Sequence, residues 1–183
     1  GVNGAACAVA GRVPLSRVEG KPDAFLLRGA AQAEWRPHPK LTLSAAPRGQ
    51  WAADPLLSYE EFSGGNFTVG RGYDAGTVIG DSGAAIALEA RYGSGFKMGK
   101  KRFDLQPYVF FDAAKVWNKA TSIAALEEQH LYSAGAGLRA SAPKLGRMDL
   151  TLAVPLNKAG LLAERPDPRL LASFSTYFGI RAR

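Results

Sequence analysis

The dominant pattern along the chain is alternation with a period of two. Phe25, Leu27, Gly29, Ala31, Ala33 and Trp35 are apolar or small, and between them fall Leu26, Arg28, Ala30, Gln32, Glu34 and Arg36. Leu41, Leu43 and Ala45 alternate with Thr42, Ser44 and Ala46, and Ala84, Ile86, Leu88, Ala90 and Tyr92 with Ala85, Ala87, Glu89 and Arg91. Tyr132, Ala134, Ala136, Leu138 and Ala140 alternate with Ser133, Gly135, Gly137, Arg139 and Ser141; Met148, Leu150, Leu152, Val154 and Leu156 alternate with Asp149, Thr151, Ala153 and Pro155. Successive side chains of a strand point to opposite faces, so these runs predict strands with one apolar face. Residues 105–117 are apolar on both faces near their centre, residues 171–180 form a last strand, and a weaker Gly- and Ala-rich strand is expected over 4–13. That makes about eight strands, many near the ten or so residues that a tilted strand needs to cross a bilayer.

The connections alternate in kind. Pro37-His38-Pro39-Lys40 and residues 143–147 read as tight turns, and 93–103 as a short to medium one. Residues 52–82, 118–129 and 157–168 read as longer loops. Short turns at one end and long loops at the other are the habit of outer-membrane barrels. Trp35, Trp51, Trp117, Tyr92 and Tyr132 fall near strand ends, where amphipathic rings favour a membrane interface. The same pattern suits a soluble β-sandwich whose aromatic residues cap its core and whose loops bind a ligand. Periodicity alone leaves both architectures open.

Composition removes other classes. A length of 183 residues fits one domain. The single cysteine, Cys7, excludes an intrachain disulfide and a cysteine-based metal site. His38 and His130 are far apart and lack ligand spacing, so no metal is expected. No apolar run is long enough for a transmembrane helix, although a barrel strand leaves no such run. The net charge of +7 is scattered, and its one dense cluster, Lys97, Lys100, Lys101 and Arg102, reads as a solvated turn. No nucleic-acid-binding motif accompanies it, so no nucleic-acid partner is expected. No charged segment followed by an apolar core opens the sequence, and the chain is expected to be a piece of a longer polypeptide.

Two catalytic motifs fail on inspection. Gly80-Asp81-Ser82-Gly83 matches the surroundings of a chymotrypsin-like nucleophile, but that chemistry needs a converging His base, and His38 sits between two prolines in a turn. Residues 93–100 have the wrong glycine spacing for a phosphate loop, and no Ser or Thr follows the Lys. Glu60-Glu61 and Glu127-Glu128 read as solvated loop charges. Neither an enzyme nor a cofactor is expected.

The longest loop carries Gly64-Gly65-Asn66-Phe67-Thr68-Val69-Gly70-Arg71-Gly72-Tyr73-Asp74. Its core resembles the Val-Arg-Gly-Tyr/Phe signature of the sixth external loop in two-partner secretion transporters of the haemolysin-activation type and in their barrel-assembly relatives. Downstream, Phe110-Phe111-Asp112-Ala113-Ala114 resembles the Phe-x-Asp-x-Gly motif of the same superfamily. Three departures stand out. Gly70 is inserted between Val69 and Arg71, Ala114 replaces Gly, and Phe178 is followed by five further residues rather than ending the chain.

The resemblance implies an all-β protein, an antiparallel transmembrane β-barrel, with this chain supplying about eight C-terminal strands of sixteen. Residues 1–183 would then be one barrel segment whose loop 52–82 folds into the lumen, with the N-terminal strands and the periplasmic polypeptide-transport-associated (POTRA) domains absent. Arg71 would meet the inward Glu89 and Asp112, flanked by the motif residues Val69, Gly70, Gly72, Tyr73 and Asp74 and by Phe110 and Ala114 of the motif strand. The implied function is export of an unfolded partner protein of haemolysin or adhesin type through the lumen, without cofactor or hydrolysis. The implied setting is the outer membrane of a Gram-negative bacterium, surrounded by lipid, after insertion by the barrel-assembly machinery. A barrel-assembly factor of the same superfamily is the alternative. Guanidinium offers a permanently charged planar fork for carboxylates, so an inward Arg71 could serve as a fixed brace or as a releasable latch.

Overall fold

The structure, a computed structural model, describes residues 16–65, 69–98, 101–119, 121, 123–142 and 146–176. The expected strand over 4–13 lies outside them. The main sheet contains β1 (Leu26–Ala30), β2 (Ala33–His38), β3 (Leu41–Ala52), β6 (Ser82–Tyr92), β7 (Ser94–Met98), β8 (Lys101–Trp117), β9 (Glu128–Ala142), β10 (Gly146–Pro155) and β11 (Arg169–Ser175). A two-stranded sheet, β4 (Phe62–Gly64) with β5 (Val78–Gly80), stands inside the long loop. The only α-helical element among the described residues is the single turn α1 (Ala124–Glu127).

All pairings are antiparallel, and the path is a meander, β1-β3-β6-β8-β9-β10-β11, with β2 beside β3 and β7 beside β8. The expected single strand over 25–36 is two strands here, but one register on β3 runs from Leu26 through Trp35, with Ala30 facing Arg48 and Ala33 facing Ala45, and shifts only between Trp35 and His38. The gap falls opposite Pro47, which has no amide to donate, while the Ala31 amide still donates to the Pro47 carbonyl at 3.0 Å. The same device splits the third lane. Arg91 faces Tyr108 and Ser94 faces Leu105, so β6 and β7 share one register and break beside Pro107. The expected connection over 93–103 is therefore mostly strand, because the hairpin runs on through β7 and the first residues of β8. Counted as lanes, seven of the expected strands are described.

The long connections all lie at the Trp117 end of the sheet and the short turns at the Leu41 end. The two faces are chemically opposite. Outward stand Leu27, Trp35, Leu88, Val109, Phe111, Leu138, Leu152, Leu170 and Phe174, all exposed. Inward stand Arg28, Glu34, Arg48, Glu89, Arg91, Asp112, Arg139 and Asp149, together with the rings of Tyr108 and Phe110. Those rings fit because β9 carries glycine opposite them. A Cβ on Gly135 would stand 2.6 Å from the Phe110 ring.

A soluble sandwich would cover its apolar face with a second layer. Here that face is bare among the described residues, and what is covered is the charged face. Trp51, Trp117 and Tyr132 ring the outward surface at the loop end, and Trp35 and Tyr92 do so at the turn end. This all-β sheet is an open stretch of membrane-barrel wall, with aromatic belts at both interfaces and its charged side toward the lumen.

Candidate functional site

The long loop returns onto the inner face on its two-stranded stem, β4 and β5. Phe62, Val69, Tyr73 and Val78 of the loop form a buried cluster with Ala85, Ala114, Val116 and Leu131 of the wall and Ala159 beyond β10. Small wall residues make room for it. Ala114, where the signature has Gly, is accommodated because Gly64 faces it: a Cβ on Gly64 would lie 3.1 Å from the Ala114 methyl group.

This packing sets Arg71 against the motif strand. Its Nε donates to Asp112 Oδ2 at 3.0 Å and its Nη2 to Asp112 Oδ1 at 2.9 Å, a two-pronged pair. The amides of Gly70 and Arg71 also donate to Oδ2, at 3.0 and 3.1 Å, and the Ser133 hydroxyl lies 3.4 Å from it. Arg71 Nη1 donates to Glu89 Oε2 at 3.2 Å. The guanidinium carbon lies 3.6 Å from the centre of the Phe110 ring, so Phe110 is the floor of the clasp. Asp112 is fully buried and Arg71 nearly so.

The inserted Gly70 has φ of +84°, a left-handed conformation that turns both amides toward one carboxylate oxygen. Gly70→Ala forces that φ on an L side chain, and its methyl group would meet Leu131 at 2.7 Å. We expect it to weaken the clasp by about 1–3 kcal/mol, read as increased protease cleavage of the loop in membranes.

The next three residues attach to a different wall. A Cβ on Gly72 would lie 2.8 Å from the Pro155 nitrogen. The Tyr73 hydroxyl lies 2.6 Å from the Asn157 carbonyl oxygen, its nearest acceptor, and accepts from the Asn157 amide at 3.2 Å. Asn157 in turn accepts the Tyr132 amide at 2.8 Å on its side-chain oxygen and donates to the His130 carbonyl at 3.1 Å. Asp74 accepts from Arg169 Nη1 at 2.8 Å, and this bond holds its carboxyl below the usual aspartate range. A lowered folded-state pKa means that the pair's contribution is present at neutral pH and is lost as pH falls through that lowered value.

Charge continues along the lumenal face. Glu89 Oε1 accepts from Arg139 Nη1 at 3.0 Å, and Arg139 Nε donates to Asp149 Oδ2 at 2.8 Å. The Tyr108 hydroxyl donates to Asp149 Oδ1 at 2.6 Å. Arg91 bridges Glu89, at 3.7 Å, and Glu34. Glu89 thus meets three cations, Arg71 from the loop and Arg139 and Arg91 from the wall.

At the outer rim, Asp81 is fully buried. It accepts the Leu56 amide and Arg17 Nη1, each at 2.7 Å, and the Lys119 amide at 2.8 Å. Arg17 also meets Glu61 at 3.0 Å, where burial pushes the Glu61 carboxyl above its ordinary value against the pull of Arg17. Ser82 spends its hydroxyl accepting the Ala52 amide at 3.1 Å, at the opposite end of the sheet from His38.

Val69, Gly70, Arg71, Gly72, Tyr73, Asp74, Glu89, Phe110, Asp112 and Ala114 lie in or beside this one assembly. Sequence reasoning missed Arg139, Asp149, Tyr108, Asn157 and the role of Asp81. Arg139 and Asp149 did stand on the polar faces of their strands, but their pairing needs the register that sets them opposite each other.

An open antiparallel sheet with a bare apolar face, a charged inner face and a loop bound to that inner face defines the wall of a transmembrane barrel with an in-folded loop. The chain belongs to the haemolysin secretion/activation protein family (ShlB/FhaC/HecB), whose match covers residues 17–140 and therefore takes in the loop, β6 and β8. Members of this family are outer-membrane transporters of two-partner secretion. No curated protein and no solved structure matches the chain.

Proposed function

We propose that this chain forms part of the wall of a Gram-negative outer-membrane barrel that exports an unfolded partner protein through its lumen. The loop bearing Arg71 acts there as a releasable latch. The observation that carries the reading is the clasp itself. A guanidinium and two backbone amides converge on one buried carboxylate of the lumenal wall. A brace of that strength is not needed to stop a surface loop from moving. It suits a plug that must stay shut between transport events, because a lumen left open would leak.

The bare outward face supports lipid as the surrounding medium. β1 and β11 each lack a second neighbour among the described residues, and a bilayer does not tolerate unpaired strand edges. Further strands pairing with those edges would close the barrel. In that reading this is the C-terminal part of a larger barrel, delivered to the membrane by the barrel-assembly machinery.

The test is Arg71→Ala in the transporter expressed with its secreted partner. Secretion is expected to fall by about tenfold or more, equivalent to about 1.4 kcal/mol, while the amount of barrel in the outer membrane stays within about twofold. Normal secretion by that variant would remove the latch reading.

A further inference from the structure

The loop's attachments divide sharply at one peptide bond. Gly70 and Arg71 bind β8 and β6, through Asp112 and Glu89. Gly72, Tyr73 and Asp74 bind the far side of the lumenal face, through Pro155, Asn157 and Arg169. The two sets also differ in kind. The first is ionic and faces the lumen. The second centres on a neutral hydroxyl–amide knot around a fully buried ring.

We infer that Tyr73 and Asn157 form a fixed pivot, so that the loop opens by swinging about the Arg71–Gly72 junction while the stem β4–β5 stays seated. Asn157 is thus a positioning residue for transport, one that touches neither Arg71 nor its carboxylates. The inference rests on the latch reading above and goes beyond it by saying which part of the loop moves.

Three physical points support it. An ionic clasp facing a wet lumen can exchange its partners for water when it opens, because released charges regain hydration. Glu89 loses least on release, since Arg139 already occupies its other oxygen. The knot has no such route. The Tyr73 ring is the largest fully buried side chain among the described residues, and moving it would expose far more of its apolar cluster with Val78 and Leu131 than moving Val69, the cluster's member on the swinging side. Asn157 also binds β9 twice, through the Tyr132 amide and the His130 carbonyl, and so ties the pivot to the wall rather than to another loop. Finally, Gly72 approaches Pro155 so closely that no side chain fits between them, which keeps the swinging arm against its support.

The experiment uses cysteine accessibility in the full transporter in outer membranes, with Cys7 changed to Ser. Val69→Cys reports the swinging side and Val78→Cys the stem; both positions are buried in the closed state. With Arg71→Ala added, labelling of Val69→Cys by a water-soluble maleimide is expected to rise by about tenfold, while Val78→Cys stays protected. Adding Asn157→Ala, or Tyr73→Phe, which keeps the ring, is expected to expose Val78→Cys as well and to deepen the secretion defect. Asn157→Gln should not rescue, because its longer arm misplaces the amide; restoring Asn should.

If Arg71→Ala exposes both cysteines together, the pivot is overturned and the latch stands. If the knot variants leave Val78→Cys protected and secretion unchanged, the pivot is likewise overturned. If Arg71→Ala exposes neither and secretes normally, latch and pivot both fall. Heat-modifiable migration of each variant in gels identifies any that fail to fold, and Tyr73→Phe then serves in place of Asn157→Ala.

Discussion

Replacing Asp112 with Ala is expected to release the loop more completely than replacing Arg71 and to reduce secretion further. The two partners are not equivalent. Arg71→Ala leaves Asp112 with the Gly70 and Arg71 amides and the Ser133 hydroxyl, so the carboxylate keeps donors after the guanidinium is gone. Asp112→Ala removes the acceptor of two backbone amides and two guanidinium nitrogens at once, leaving Arg71 with Glu89 and the Phe110 ring. Breaking a buried pair from one side costs about 3–5 kcal/mol, enough to turn a closed loop into a mostly open one. Asp112→Asn should fall between the two, since its carbonyl oxygen can still accept from the amides. Protease cleavage of the loop in isolated membranes, measured beside secretion, orders the variants. Equal effects from Asp112→Ala and Arg71→Ala would mean that the backbone donors contribute nothing.

The same geometry changes how the pair should be tested. Exchanging Arg71 and Asp112 restores net charge but sets an Arg, which cannot accept, against the Gly70 and Arg71 amides. The swap is expected to remain defective even though the charges match. A double-mutant cycle with Arg71→Ala and Asp112→Asn is the cleaner measure of coupling.

The sequence made the wall legible because the bilayer imposes a simple rule on every strand. Ala84 to Tyr92 and Tyr132 to Ser141 alternate, and their large apolar side chains, Ile86, Leu88, Tyr92, Tyr132 and Leu138, stand on the outward face, while the small Ala85 and Ala87 face inward beneath the loop. The alternation over 25–36 also ran through the ladder break opposite Pro47. It marks which face a residue is on, and Pro47 and Pro107 interrupt hydrogen bonds without changing that face. The length of β7 and the start of β8 were not legible. The Lys- and Gly-rich stretch over 93–102 has the composition of a turn, and only pairing with the opposite strand makes most of it sheet.

Within the site, Arg71, Glu89 and Asp112 could be singled out because a resemblance named them. Periodicity alone placed Glu89 on the polar face but gave it no partner. Asn157 was unreadable for a different reason. It is the first residue of a loop, its partner Tyr73 lies 84 residues earlier, and no local pattern links a hydroxyl to an amide across that distance. Phe110 was noticed only as part of a motif. That its ring underlies the guanidinium is a consequence of Gly135 giving way on the neighbouring strand.

Asp81→Ala is expected to loosen the outer rim while leaving the clasp closed, which makes it the counterpart of Asp112→Ala. Asp81 joins three segments distant in sequence: the N-terminal stretch at Arg17, the start of the long loop at Leu56 and the 118–127 loop at Lys119. Its own carbonyl accepts from Gln50 at 3.0 Å, which fixes the residue to β3. Loss of the carboxylate strands two backbone amides, each at about 1–3 kcal/mol if no water replaces it, while Arg17 keeps Glu61. Asp81→Asn offers little relief. An amide has a single acceptor oxygen, so in either orientation its NH2 group faces the Leu56 or the Lys119 amide, donor against donor. Both variants should therefore become sensitive to protease added to intact cells, with cuts in 53–61 and 118–127, while Val69→Cys remains protected as long as Arg71 holds Asp112. Cuts confined to the outer loops, with the tip still shielded, would make the rim and the clasp separable units. Exposure of Val69→Cys by Asp81→Ala alone would instead mean that the latch is held shut from the rim, and that Asp81, not Asp112, is the residue whose release opens the lumen.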